Sequence, residues 1–360
     1  MTRFLSLGGG GLIDATLKID SVSGPNPKLA TLEDVARLAG VHVSTASRAI
    51  GGGTSQVALK PETRDRILRA AEELNYHPNA AARALRYAAT GALGLLVPSL
   101  RNPVYAEIIR GAFDRAWDRS FVVVLAEDRG GEDAERAYER LVEQGRIDGL
   151  LIAGVRPGSV LPAEQARARV PFVFVNRRHP RGHNVSMREE DAAALATAHL
   201  VELGHRRIAH IAGPADVDTA IRRADAFRST AERSGVRFTV VDAAFDERAG
   251  FHAMQDLLDV RERPTAVFVS NINQAIGALA GVREAGLTVP DDVSVIGYDD
   301  DPVGEFLAPA LTSIRMPLRA LGARSIDAVL DRINGGAPSE IVIADPPQLI
   351  LRKSTGPPAA

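Results

Sequence analysis

The 360-residue sequence contains no cysteine, which excludes disulfide scaffolds, thiolate metal sites and cysteine nucleophiles and fits a reducing compartment. It also has no apolar run near the ~20 residues needed to cross a bilayer, so no membrane partner is expected. The opening MTRFLSLGGGGLIDATLKID carries one early Arg and only a broken apolar run before its glycines. That makes a poor secretory signal, and the expected location is the cytoplasm. Catalytic signatures are missing too: there is no Gly-rich phosphate loop with Lys, no G-x-S-x-G and no H-E-x-x-H, and the 8 histidines do not cluster at ligand spacing. No reaction class is suggested, and neither enzymatic activity, a metal nor a cofactor is expected.

What is present is the composition of a globular protein, 45% hydrophobic and 24% charged. At roughly 150 residues per domain, the length implies two or three domains. The net charge of -2 conceals an asymmetry: between Lys28 and Arg86, nine Lys or Arg face six Asp or Glu, a local +3 that leaves -5 for the remainder. A basic module on an acidic body points to an anionic partner for the module, though a surplus of this size is also found on ordinary solvated surfaces.

Residues 1–27, with the run Gly8 to Gly11 and the end SGPNPK, have no sustained period and read as a disordered tail. From Thr31 the pattern changes. Leu32, Val35, Ala36 and Ala39 fall on one helical face, Thr31 is placed to cap it with Asp34 three residues on, and Gly40 ends it. After the turn Gly40-Val41-His42, residues 43 to 50 are helical again, and Gly51 to Gly53 break the pattern. In the stretch LAGVHVSTASRAI, the expected inward face is Leu38, Ala39, Val41, Ala46 and Ile50. A third helix follows in PETRDRILRAAEELNYHP, with Pro61 in the first turn and Ile67, Leu68, Ala71 and Leu74 facing inward. Two short helices joined by a tight Gly turn make a helix-turn-helix candidate over 28–78. Pro78 stops the third helix, and Asn79 can cap a short segment, AAARALR, that is too brief to be stable alone.

From Ala92 to about Ser354, buried-strand runs alternate with amphipathic helices: GLLVP, FVVVLA, GLLIAG, FVFVN, RIAHIAG, AVFVS and VSVIGY are the strands. Such alternation predicts parallel sheets with helices on both faces. About 260 residues is too many for one small doubly wound sheet, so two subdomains are expected, with a ligand cleft at the carboxyl ends of their strands.

In order, TLEDVARLAGVHVSTASRAI, PETRDRILRAAEELNYHPNAAARALR, VPSLRNPVYAEIIRGAF, HLVELGHRRIAHIAGP, VPDDVSVIGYDD and LTSIRMP resemble the LacI/GalR family of bacterial transcription regulators, from about Leu29 to Ser354. The resemblance implies a small all-α helix-turn-helix headpiece (28–78), a hinge helix and linker (79–90), and an α/β periplasmic-binding-protein-like core of two doubly wound parallel-sheet subdomains (91–356). It implies a homodimer, or a higher oligomer, that binds near-palindromic double-stranded operator DNA and answers to a small-molecule effector, a sugar by default.

The family's base-reading positions fall on Val43, Ser44 and Arg48. These side chains suit base reading, since Arg48 can fork onto guanine O6 and N7, Ser44 can bond several base edges, and Val43 can meet a thymine methyl. Thr45 and Ser47, with Thr31 and Asn79, are expected on the DNA backbone, where contacts set register without reading sequence. An ordinary solvated helix face is the alternative for these polar residues. Leu85 matches the apolar residue that the family wedges into the minor groove, with Arg83 and Arg86 beside it. Two departures stand out: His42 sits where the family commonly has a Ser cap, and GGGTSQVALK is a few residues longer than usual.

In the core, the resemblance places the effector on Asn102 and Tyr105 in one subdomain and on Arg223, Asn271 and Asp299 at the cleft. Amides, a carboxylate and an Arg fork pair vicinal hydroxyls, and an aromatic ring covers an apolar sugar face. For each residue a structural hydrogen bond or surface ion pair is the alternative. Here too the sequence departs from the family: Ile272 replaces an Asp, Arg188-Glu189 replaces an Asp-Asn pair, and Asn176 replaces an Asp. The run Asp299-Asp300-Asp301 reads as solvated or capping rather than as a metal site. A sugar-binding protein with no DNA role would leave residues 30 to 90 unexplained, and an enzyme on an open α/β fold has no motif in its favour.

Overall fold

The computed structural model describes residues 30–50, 59–76, 89–128, 142, 145–154, 170–180 and 182–359. The chain divides into two compact units, Met1–Arg83 and Ala84–Ala360. The tail expected over 1–27 and the hinge residues Asn79, Arg83, Leu85 and Arg86 lie outside the described residues.

In the first unit, α1 (Leu32–Leu38), α2 (Val43–Ile50) and α3 (Pro61–Glu73) enclose a small core. The α1 start is a full capping box, Thr31 accepting from the Asp34 amide while the Asp34 carboxylate accepts from Thr31. Its end is a Schellman turn: Gly40 has φ +61°, and the Val41 amide donates to the Ala36 carbonyl at 3.0 Å. The buried set is Val35, Ala36, Ala39, Ala46, Ala49, Ile67 and Ala70. Two expected core residues are instead exposed, Leu38 at 48% and Leu68 at 39%. Both lie roughly 110° round the helix from the centre of the apolar stripe, at about 100° per residue. Ala70, not Leu68, fills the inward position on α3.

The second unit holds two six-stranded sheets. The first contains β1 (Ala92–Val97), β2 (Val122–Glu127), β3 (Gly149–Ile152), β4 (Phe172–Val175), β5 (Asn184–Ser186) and β11 (Glu340–Val342), ordered β11-β5-β4-β3-β1-β2. The second contains β6 (Arg207–Ala212), β7 (Arg237–Asp242), β8 (Ala266–Val269), β9 (Ser294–Tyr298), β10 (Thr312–Arg315) and β12 (Gln348–Ile350), ordered β12-β10-β9-β8-β6-β7. All pairings are parallel except β10 with β12. The two expected parallel-sheet subdomains are thus observed, the second with one antiparallel edge strand. Between β10 and β12 the chain passes through the helix Leu318–Ile333 and places β11 in the first sheet, so β12 returns to the second sheet from outside it and adds at the edge, where an antiparallel partner is free to lie.

Among the described residues, the helices are α4 (Val104–Asp118), α5 (Glu189–Glu202), α6 (Asp218–Arg233), α7 (Glu247–Leu258), α8 (Ile272–Glu284) and α9 (Leu318–Ile333). One core cluster runs continuously from Leu93, Leu95 and Val173 in the first sheet to Phe268, Tyr298 and Ile314 in the second. Helices α4 and α9 cross closely because each carries a glycine at the contact. A Cβ on Gly111 would lie 2.1 Å from the Arg319 carbonyl oxygen, and one on Gly322 2.0 Å from that of Ile108. Backbone cannot yield as a side chain tip would, so Gly322→Ala should destabilise the core by about 1–3 kcal/mol. Denaturant unfolding checks this, with Gly335→Ala, where nothing lies within 4 Å but φ is +84°, as a control for backbone strain without steric clash.

Candidate functional site

In the headpiece, α2 is steered by its first residues. The Ser44 amide donates to His42 Nδ1 at 3.3 Å, and the Ser44 hydroxyl lies 2.8 Å from the same atom. The His42 carbonyl accepts from the amides of Thr45 and Ala46. His42 therefore caps α2 in the place of the expected Ser, as an N-cap acceptor to the second helical amide. In the tautomer with its proton on Nε2, Nδ1 accepts from the Ser44 amide, and the Ser44 hydroxyl beside it can donate to the same atom. Ala46 and Ala49 are buried, and Val43 packs partly against the same cluster. His42, Ser44, Arg48 and Thr31 are exposed, while Thr45 and Ser47 are half-buried. Arg66 donates to the Ala39 carbonyl at 2.8 Å and ties α3 to the end of α1.

In the second unit, the carboxyl ends of both sheets meet at a small cavity of about 20 Å³, room for about one water. Asn102, Tyr105, Arg223, Asn271 and Asp299 all line it. Beside them are Asn176 and Arg177 from the end of β4, Glu189 at the start of α5, Thr219, Phe245 and Tyr298. A wider space of about 830 Å³ shares Asn102, Tyr105, Arg177 and Phe245 and opens toward Arg101, Asp216, Asp246 and Arg248.

Arg223 is the hub of the cavity. Its Nε lies 3.2 Å from Glu189 Oε2 and 3.1 Å from the Thr219 carbonyl oxygen, and Nη1 donates to the Ser270 carbonyl. The guanidinium stacks 4.2 Å from the Tyr298 ring centre, and the Tyr298 hydroxyl donates to Glu189 Oε2 at 2.6 Å. Burial opposes the Arg223 charge, but Glu189 foremost among its neighbours holds its pKa above the ordinary value. Burial pushes the Asp299 carboxyl up to about 7, with Arg223 resisting and Glu189 and Asp301 adding to the rise.

Several of these residues also serve the scaffold. Asn271 caps α8 by accepting from the Gln274 amide at 2.8 Å, Asn102 accepts from the Val104 amide, and the Tyr105 hydroxyl reaches the Ala153 carbonyl at 3.4 Å. Asn176 has φ +70°, and its buried Oδ1 has no hydrogen-bond partner. Of the departures from the family, Ile272 packs in the second sheet's core and does not line the cavity. Arg188 faces Asp191 across 3.7 Å on the surface. In the acidic run, only Asp299 enters the cavity. Asp300 pairs with Arg315 and Arg352, and Asp301 caps the short 3-10 helix Pro302–Glu305. Sequence reasoning missed Phe245, Tyr298, Thr219 and Arg177 as lining residues; their only signal was a place just beyond a strand or in the first turn of a helix.

Two buried groups give stability opposing pH slopes. Asp299 keeps its proton to about 7 when folded against 3.8 when exposed, so it lowers stability as pH rises through that window. Burial holds His210 neutral down to about 3 against 6.5 when exposed, so it raises stability as pH climbs through its window. Asp299→Asn should leave the His210 slope uncompensated. Its denaturant midpoint should climb between pH 4 and 6.5 more steeply than the wild type's, with the difference bounded by about 1.4 kcal/mol per pH unit. Parallel slopes in the two proteins would contradict the assignment.

Comparison with known proteins matches this architecture. Residues 31–79 match the bacterial regulatory proteins of the lacI family, and residues 197–355 match a periplasmic binding protein-like domain. The chain is 33% identical over 333 residues to the HTH-type transcriptional repressor PurR of Edwardsiella ictaluri, covering 91% of this chain and 97% of that one. It is 34% identical to the repressor of the same name in Serratia proteamaculans, with the same coverage of 91% and 97%. It is similar in structure to the Lac repressor dimer bound to operator and the anti-inducer ONPF, with a TM-score of 0.79 and 29% identity over 91% of this chain and 100% of that one. It is also similar to the regulator CelR in complex with cellobiose, with a TM-score of 0.70 and 33% identity over 90% and 99% of the two chains. With a helix-turn-helix headpiece on a two-subdomain ligand-binding core, and with repressors as its relatives along nearly the whole length, the chain belongs to the LacI family of DNA-binding transcription regulators.

Proposed function

We propose that this chain is a homodimeric repressor whose hold on a near-palindromic operator changes when a sugar or sugar derivative occupies the cleft. The observation that carries the DNA half is the orientation of α2, which turns Ser44 and Arg48 to solvent while burying Ala46 and Ala49. Arg48 forks onto a guanine, Val43 meets a thymine methyl, and Thr31, Thr45 and Ser47 hold the phosphates, joined by Asn79. Leu85, with Arg86, is the minor-groove wedge. Ser44 has a narrower role than a free serine. In the tautomer where the Ser44 hydroxyl donates to His42, its oxygen is left to accept, which suits the amino groups of adenine N6 or cytosine N4.

Sequence selection on random DNA with the purified protein tests this reading. A palindromic consensus is expected, and Arg48→Ala should weaken binding to it by about 1–3 kcal/mol in each half-site. His42→Ala should relax the preference at the base facing Ser44. No consensus at moderate salt would sink the DNA reading.

The sugar reading is supported by the convergence of Asn102, Tyr105, Arg223, Asn271 and Asp299 at one cavity. A ligand in the adjoining space of about 830 Å³ that reaches into this cavity touches both sheets and, by favouring one arrangement of the subdomains, biases DNA binding. Thermal shift across a sugar and metabolite panel finds the ligand, since saturation at 100 times Kd adds about 2.7 kcal/mol.

For the dimer, the second copy is placed on the apolar patch of Phe113, Trp117 and Val122, which are 41%, 80% and 57% exposed. The Lac repressor dimer supports the occupant. Trp117→Glu should shift sedimentation toward monomer at micromolar concentration and weaken operator binding with it. An unchanged dimer would place the interface elsewhere.

A further inference from the structure

Gln274 is fully buried in the first turn of α8 and lines neither space of the cleft. Its Nε2 lies 2.9 Å from the Ala212 carbonyl oxygen, 3.0 Å from that of Ala244 and 3.3 Å from that of Ala243. Three carbonyls thus share two N–H groups. Swapping the two ends of the amide would set an oxygen against three oxygens, which fixes the assignment. The other end, Oε1, is buried with no hydrogen-bond partner, and an orphaned acceptor lowers stability. A side chain kept only to fill space would avoid that loss, since Met has the same length and carries no such acceptor. What the amide contributes is its donor end.

The three carbonyls belong to two loops that meet at the cleft. Ala212 ends β6 and is followed by Gly213, while Ala243 and Ala244 follow β7 and lead into Phe245. The Phe245 ring rests on Gly213, where a Cβ would lie 2.1 Å from the ring Cζ, and the Arg223 guanidinium lies 5.8 Å from the ring centre. Phe245 lines both the inner cavity and the adjoining space.

The fold gives one side chain this reach. In the second sheet β6 lies between β8 and β7, so a residue in the helix that follows β8 can extend across both neighbouring strand ends. Its backbone is fixed as well, because a Cβ on Gly250 of α7 would lie 2.2 Å from the Gln274 carbonyl oxygen. Asn271 adds a longer bond, from Nδ2 to the Phe245 carbonyl at 3.4 Å. Directly after Phe245, Asp246 caps α7 by accepting from the Ala249 amide at 2.8 Å. The loop is held at both ends.

We infer that Gln274 is a positioning residue of the effector cleft: its amide staples the Gly213 loop to the Phe245 loop and seats the Phe245 ring at the cavity wall, without itself touching the ligand. This rests on the cleft being the effector site.

The test uses the full-length protein and begins without ligand. Gln274→Met should raise hydrogen exchange at least tenfold at the Ala249 and Gly250 amides, which both donate to Asp246, and leave the amides of β3 unchanged. Glucose, galactose, ribose and cellobiose are then titrated by calorimetry. For any that binds the wild type, Gln274→Met and Gly213→Ala should each weaken binding at least tenfold. The double variant should fall less than threefold below the weaker single one, because both changes release the same ring. Exchange that rises in both sheets alike, or not at all, overturns the inference. So does a loosened loop with unchanged affinity, or a double variant whose losses multiply.

If none of these sugars binds, the sugar reading falls by itself, and the exchange comparison decides for Gln274: loosening confined to Ala249 and Gly250 supports the staple, and uniform or absent loosening overturns it. Should Gln274→Met not fold, Gln274→Asn, whose amide stops one carbon short of the three carbonyls, is read in the same way.

Discussion

A buried guanidinium has to be answered from every side, and Arg223, 5% exposed, is answered by four separate elements. Desolvating such a charge without partners costs several kcal/mol, more than a marginally stable fold can spare. The partners are Glu189 from the start of α5, the Thr219 carbonyl one turn back on α6, the Ser270 carbonyl after β8 and the Tyr298 ring at the end of β9. Meeting that demand fixes where these strand and helix ends sit relative to one another. Asp299 follows Tyr298 directly, in a left-handed conformation at φ +62°, and Asn271 follows Ser270. The cleft's polar geometry is thus largely set by the needs of one ion, before any ligand arrives, which is preorganisation in its plainest form.

The headpiece solves a different problem. Its buried set consists of five alanines, one valine and one isoleucine, too little apolar surface to hold three helices by burial alone. Helix termini therefore contribute an unusual share of the stability. The Thr31–Asp34 box, the Schellman turn at Gly40 and the His42 cap satisfy orphan amides and carbonyls at both sides of the helix-turn-helix. The small core has a functional counterpart: with alanines inside, α1 and α2 approach closely and the polar face of α2 stays unobstructed.

Much of this was legible from periodicity and punctuation. The Thr31 cap, the Gly40 stop, the Pro61 start and seven strands of continuous apolar residues follow from local rules, and the five residues assigned to the cleft by resemblance do share one cavity. The failures have physical reasons. Leu38 and Leu68 are apolar and near the stripe, but a stripe on such short helices is narrow, and residues about 110° from its centre reach solvent. β5, β11 and β12 are three residues each, too short to show alternation, and β7 is an edge strand with an exposed and half-buried pattern. His42 stood out only as a departure from the usual Ser, because helix caps are usually side-chain oxygens; an imidazole nitrogen accepts the same amide. Glu189 was visible only as a departure from a family pattern. Nothing local in REEDAAAL announces that its partner is Arg223, more than thirty residues on.

Scaffold and site share the same atoms in the cleft, and that bears on how binding can be felt elsewhere. Asn271 caps α8 with the oxygen of the amide assigned to the ligand, Asn102 holds the Val104 amide at the start of α4, and Arg223 braces two carbonyls. A ligand that engaged residues from one sheet only would have equal contacts whether the subdomains were open or closed, and equal affinity for two states shifts neither. Here Asn102, Tyr105 and Asn176 come from the first sheet's strand ends and the helix start that follows β1, and Asn271, Tyr298 and Asp299 from the second's strand ends. Contacts to both sets depend on the spacing of the two sheets, which is the spacing seen here at the shared cavity. The differential affinity that regulation requires is therefore a consequence of where the two sheets end.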